Sequence, residues 1–237
     1  MNFVDAIIVL LIFMGYFIGK KRGFLPQLVS LVGFFLIVVG SFILKNPVSQ
    51  FLYEKLPFLN FMGVFKGVTI LNIIFYEVIA FVIVMGLLYL VFRLILSISK
   101  LFEKILEALP LVETLNKLIG GILGIVENYI VVFIVLYILT LPFFNFGVIN
   151  DSKLRTGILE HTPVLSGMLN NTVVASNEIY GLKEKYSMEY DAKEFNLEAL
   201  DVLLKYDITT VENIDKLVEL KKLRIEDIES VLNKYRK

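Results

Sequence analysis

From Phe24 to Leu44 the chain runs for 21 residues without one charged side chain. A helix rises 1.5 Å per residue and the hydrocarbon core of a bilayer is about 30 Å thick, so roughly 20 apolar residues cover a crossing. Three further stretches approach that length: 3–19, charged only at Asp5 near its mouth; 69–92, carrying only Glu77; and 118–141, carrying only Glu127. Four such runs leave too little polar surface for a water-soluble domain. The composition agrees, with 57% hydrophobic and 19% charged residues and a mean hydropathy of +0.76. The sequence therefore predicts an all-α fold: a four-helix transmembrane bundle over residues 1–170, with interfacial amphipathic helices and a small C-terminal helical extension, mainly soluble, over 171–237.

Lys20, Lys21 and Arg22 stand between the first two runs, followed by Gly23. Cations there must stay wet while the chain reverses, so this stretch reads as the turn of a helical hairpin. A cleaved secretory signal is not the reading of residues 1–19, because the charges follow the apolar run and no A-x-A-like site appears. Counting Lys and Arg in the short connections gives three in this turn and four in the third connection (Arg93, Lys100, Lys104, Lys117), against three in the second (Lys45, Lys55, Lys66). Seven against three places the first and third connections in the cytoplasm. With four spans, both termini are expected outside the cytoplasm.

In the third connection, residues 97–109 place Ile98, Leu101, Phe102, Ile105, Leu106 and Leu109 at helical spacing, with Lys100, Glu103, Lys104 and Glu107 opposite. That pattern suits a helix ending at Pro110 and lying in the membrane interface, although a partner helix or packing on the bundle's end would bury the stripe too. In the second connection, Val48, Phe51, Leu52 and Leu56 form a shorter stripe between Pro47 and Pro57, and 58–65 is too apolar for a free loop. Its backbone must find partners in protein or water. Beyond Leu141 the chain reads as loop and short helix, turning helical from about Ala175, with three short helices at Leu197 to Tyr206, Val211 to Lys222 and Ile225 to Tyr235. Thr209 and Glu212 have the spacing of a capping box for the middle one.

Little in the chain carries catalytic chemistry. Basic and acidic residues balance at 23 each, so no basic footprint for nucleic acid exists, and cysteine is absent. His161 is the only histidine, and no Walker, G-x-S-x-G or H-E-x-x-H pattern occurs. The expectation is a protein that is not an enzyme and has no cofactor or metal, with the lipid bilayer as partner and a second copy or a membrane or secretion protein as further candidates.

The polar residues inside the spans are the candidates for function: Glu77, Glu127 and Asn128. An ionised carboxylate at mid-bilayer costs about 2.5 to 3.5 kcal/mol on insertion scales, so it needs a partner, a proton or a wet cavity. Gln27, Asn72 and Asn128 could hydrogen-bond to the two carboxylates, and interfacial cations could reach toward them. Either the pair serves an ion or proton relay or a polar seam between subunits, or each is a protonated or interface-reaching carboxyl. Small residues supply the other signal. Gly15 with Gly19, and Gly120 with Gly124, are spaced four apart, and Gly33 lies on the second run, which lets helix backbones approach closely.

Taken together, Arg22-Gly23-Phe24, then Leu28 to Gly33 leading into the second run, Asn116 to Glu127 at the fourth, and the stretch 158–164 (ILEHTPV) resemble the bacterial colicin V production protein family over residues 1–170. One departure stands out: related sequences often carry Arg-Gly soon after the glycines, where this chain has Glu127-Asn128. The resemblance implies a four-helix membrane protein linked to colicin V-type toxin production or secretion and to envelope homeostasis, without catalytic residues. The rival expectations are a small channel or transporter using the carboxylates, and a membrane-anchored module whose tail recruits a partner.

Overall fold

The computed structural model describes residues 3–61, 66–98, 113–141, 151–186 and 191–236. Among these are nine helices and no strand: α1 (Phe3–Arg22), α2 (Phe24–Lys55), α3 (Leu71–Ile98), α4 (Glu113–Leu139), α5 (Lys153–His161), α6 (Leu165–Lys185), α7 (Ala192–Lys205), α8 (Val211–Glu219) and α9 (Ile228–Leu232). The first four are long and apolar enough to cross a membrane. Phe13, Phe17, Leu36, Leu87 and Leu90 stand exposed on them, a surface suited to lipid. The amphipathic stretch foreseen at 97–109 lies almost wholly outside the described residues.

The chain divides into two compact units, the first Met1–Ile43, Ile83–Leu139 and Phe146–Leu165, the second Leu44–Val82, Thr140–Asn145 and Ser166–Lys237.

In the first unit, α1 and α4 run antiparallel in a four-residue register. Asn128 Nδ2 donates to the Leu11 carbonyl at 2.7 Å. Four residues along α1, and four back along α4, Gly15 meets Gly124; four more, and Gly19 meets Gly120. At the next step the Gly23 turn meets Asn116, whose Oδ1 accepts from the Phe24 amide at 2.7 Å. The glycines matter because a Cβ on Gly120 would lie 2.6 Å from the Gly19 oxygen and 2.7 Å from the Gly23 carbonyl carbon. Gly23 itself has φ +84°, the left-handed conformation a glycine adopts without strain as it ends α1, and its amide donates to the Gly19 carbonyl at 2.9 Å. The expected hairpin is thus made, and its first free amide is capped by an asparagine from the last span.

Beyond the last span, α5 is tied back to the start of the chain. Asp5, 3% exposed, accepts from Ser152 Oγ at 2.5 Å and from the Leu154 amide at 3.3 Å, while Ser152 caps α5 by accepting from the Arg155 amide.

The second unit corrects three expectations. The stripe at Val48 to Leu56 is no separate helix, since α2 continues through Pro47 to Lys55. Proline removes one backbone bond and crowds the carbonyl four residues back. Here that loss is outweighed by what the last turns bury and bind: Tyr53 is 3% exposed, Glu54 pairs with Lys216 at 2.7 Å, and Lys222 Nζ donates to the Tyr53 and Leu56 carbonyls at 2.9 and 2.7 Å, closing the helix's C-terminus. The cap of α8 is Thr210, whose side chain accepts from the Asn213 amide, in place of Thr209 and Glu212. Thr209 instead points inward, 5% exposed, its hydroxyl without a partner among the described residues. Finally, α8 ends before the expected Lys222 and α9 begins after the expected Ile225, because Lys221 and Asp227 take positive φ and break the helical path on either side of residues 222–226, while α7 begins at Ala192, ahead of the expected Leu197.

One buried side chain organises this unit. Asn196 of α7 accepts from the Ile70 amide at 3.1 Å and donates to the Gly67 and Ala192 carbonyls at 2.8 and 2.7 Å. It thereby holds the turn that starts α3. Asn196→Ala leaves the buried Ile70 amide without its partner, which costs about 1–3 kcal/mol where no water replaces the side-chain amide, while the Gly67 carbonyl keeps its bond from the Thr69 amide. Limited proteolysis should show faster cleavage in 66–70 and in the tail; an unchanged cleavage rate would refute this role.

Candidate functional site

Glu127 projects from α4 toward α2 and is met there by two residues one helical turn apart. Gln27 Nε2 donates to its Oε2 at 2.5 Å and Ser30 Oγ donates to its Oε1 at 3.1 Å. Arg22, the last residue of α1, turns its guanidinium back along the bundle to stand 3.8 Å from Oε1, and it contacts Gln27 Oε1 and Ser30 Oγ, each at 3.4 Å. Both carboxylate oxygens are therefore occupied by fixed donors. Arg22 retains free N–H capacity, with 48% of its side chain exposed.

Next to this cluster lies a cavity of about 300 Å³. Arg22, Ser30 and Glu127 form its polar wall, Phe34, Phe92, Leu96 and Pro26 its apolar one, and Tyr89 and Arg93 of α3 complete it. Phe92 reaches this wall because Gly33 makes room: a Cβ on Gly33 would overlap the Phe92 ring.

Glu77 lies elsewhere, in the second unit, bound to Lys45 Nζ at 2.6 Å. Their side chains are 11% and 12% exposed. The two intramembrane carboxylates thus have separate partners. Asn128, next to Glu127 in sequence, points about 100° away around the helix and binds the Leu11 carbonyl. Asn72 also serves another purpose, accepting from the Leu59 amide at 2.7 Å and donating to the Leu59 and Thr69 carbonyls at 3.1 and 3.0 Å. It supplies backbone partners for Leu59 in the apolar stretch that begins at 58. Of the residues considered as carboxylate partners, Gln27 is one and Asn72 and Asn128 are not.

Among the turn cations, Lys20 and Lys21 remain exposed, Lys20 with its Nζ 5.8 Å above the Tyr16 ring. His161 is exposed at the end of α5. Among the described residues, no three His, Asp or Glu side chains converge as metal ligands would. Lys45 and Arg93 count in the sequence only toward orientation. Their placement is not legible in the sequence because the charged side chains beside them, Glu77 for Lys45 and Arg22 and Glu127 for Arg93, stand 32 or more positions away.

Comparison with known proteins adds the context. The family described as Colicin V production protein matches residues 4–163. The chain is 30% identical over 174 residues, 70% of its own length and 94% of the other's, to YshB of Bacillus subtilis (strain 168), described as an uncharacterized transmembrane protein. No solved structure matches.

Proposed function

The chain belongs to the colicin V production protein family of multi-pass membrane proteins, and from that premise we propose that it is a non-enzymatic membrane scaffold supporting toxin or bacteriocin production or secretion and envelope homeostasis. The observation that carries this reading is how the intramembrane charges are used. Glu127 is bound by Gln27 and Ser30 beside Arg22, and Glu77 by Lys45. A relay or transport site needs groups that exchange partners with a passing ion; these groups hold helices. In this reading the protein sits in the bacterial plasma membrane with the Lys20-Lys21-Arg22 turn inside and both termini outside, where the tail would meet a second copy or a secretion partner.

Three measurements test it. Proteoliposomes loaded with a pH- or ion-sensitive dye should show no flux above protein-free vesicles, for wild type, Glu77→Gln or Glu127→Gln. A wild-type flux that disappears in Glu127→Gln would overturn the scaffold reading in favour of a transporter. In cells lacking the protein, toxin secretion should fall and return with the wild-type chain, and alkaline phosphatase fused after residue 237 should be active.

A further inference from the structure

We propose that the cavity between α2, α3 and α4 seats the phosphate of an anionic lipid headgroup, with Arg93 as its principal ligand and Arg22 as the second. Two guanidinium groups line one cavity of about 300 Å³, a volume at the lower end of small-ligand sites. The third charge on its wall, Glu127, already has both oxygens bound and is offset by Arg22 at 3.8 Å. Arg93 has no carboxylate within ion-pair distance among the described residues and is exposed. Among the described residues the cavity therefore carries one positive charge in excess, on a side chain whose planar fork suits phosphate oxygens.

Depth identifies the source of that phosphate. Arg22 ends α1 beside the wet turn. Arg93 lies 22 residues beyond Leu71, the start of α3, about 33 Å along the helix, or one hydrocarbon thickness. The sequence that follows α3 has the pattern of an interface-lying helix. Both arginines thus stand at headgroup level on the membrane face that carries the Lys20-Lys21-Arg22 turn. The remaining wall, Phe92 and Tyr89 above all, is what a glycerol backbone and the first acyl carbons would lie against. Basic pockets between membrane helices on this kind of face are lipid headgroup sites by the same physics.

The test uses the full-length chain reconstituted in phosphatidylcholine vesicles with a minority of phosphatidylglycerol, gently extracted, with retained lipids counted by native mass spectrometry. Phosphatidylglycerol should be retained over phosphatidylcholine, and Arg93→Gln should reduce that retention roughly tenfold, the effect of losing one charge-assisted pair. Arg93 holds no partner among the described residues, so this variant should keep the wild-type melting temperature. Lys117→Gln, which removes an exposed cation outside the cavity on the same face, should leave retention unchanged. Equal retention of the two lipids would overturn the proposal, as would an equal loss in Lys117→Gln, which would mean diffuse surface attraction. Displacement of the lipid by millimolar inorganic phosphate would likewise overturn it, identifying a site for the free anion.

Discussion

Gly19→Leu should leave the membrane-inserted chain unable to close α1 on α4, and the protein should no longer survive detergent extraction as a monodisperse species. Even the first atom of the new side chain has nowhere to go. A Cβ at Gly19 would overlap the Gly120 carbonyl oxygen and lie 2.9 Å from the Gly120 carbonyl carbon and from the Gly124 Cα. Those are backbone atoms, so no rotamer change relieves the clash and the helices must part. Carbon atoms pack at roughly 3.5–4.0 Å, so the separation grows by about 1 Å or more along the whole contact. The terminal steps of the register then fail too, because the Asn128 bond to Leu11 and the Asn116 bond to Phe24, each 2.7 Å, have no slack. Overpacking of adaptable cores costs about 1–3 kcal/mol; a rigid backbone contact with two dependent hydrogen bonds should exceed that range. Gly86→Leu is the control, since nothing lies within 4 Å of a Cβ there. Size-exclusion profiles and melting curves in detergent measure both. A Gly19→Leu protein melting with the Gly86→Leu control would show that the glycine register does not hold α1 to α4. Gly19→Ala and Gly124→Ala together should cost less than the sum of the two, because once the helices have moved apart for one methyl they have made room for the other.

That register also shows where sequence reading stops. The four-residue spacing of Gly15 with Gly19 and of Gly120 with Gly124 is visible in the letters, and so are the apolar runs and the cationic turn. Which pair faces which is not, because spacing along a helix says nothing about its neighbour. The polar residues divide the same way. Gln27 and Glu127 are each conspicuous in an apolar run, and they meet; Asn72 and Asn128 are equally conspicuous, yet each serves a backbone carbonyl or amide whose need arises only in the folded chain. Pro47 reads as a breaker because its cost is local, while the gain that carries α2 past it comes from Tyr53 burial and from Lys216 and Lys222 more than 160 residues away. Asn196 looks like any polar helix residue until the turn at 66–70 closes on it.

The buried pair Lys45 and Glu77 should show the asymmetry of ion pairs withdrawn from water. Lys45→Met removes one partner and leaves the Glu77 carboxylate, in a residue 8% exposed, without its cation. Breaking such a pair costs about 3–5 kcal/mol, most of it the penalty of the abandoned charge. Adding Glu77→Leu to Lys45→Met should then restore most of that loss, because two charges that had to be desolvated are both gone. Lys45 stands 21 residues beyond Phe24, about 32 Å along α2 and thus at the far edge of the apolar stretch, so the protein packed around the pair, whose side chains are 12% and 11% exposed, is what withdraws it from water. Melting temperatures of the four proteins in one detergent give the coupling energy of the cycle directly. A double variant no more stable than Lys45→Met would mean that the lysine acts through packing of its methylene stem. Recovery would instead establish that Glu77 is held in the membrane helix by Lys45 alone, which is the condition under which the carboxylate serves architecture and not transport.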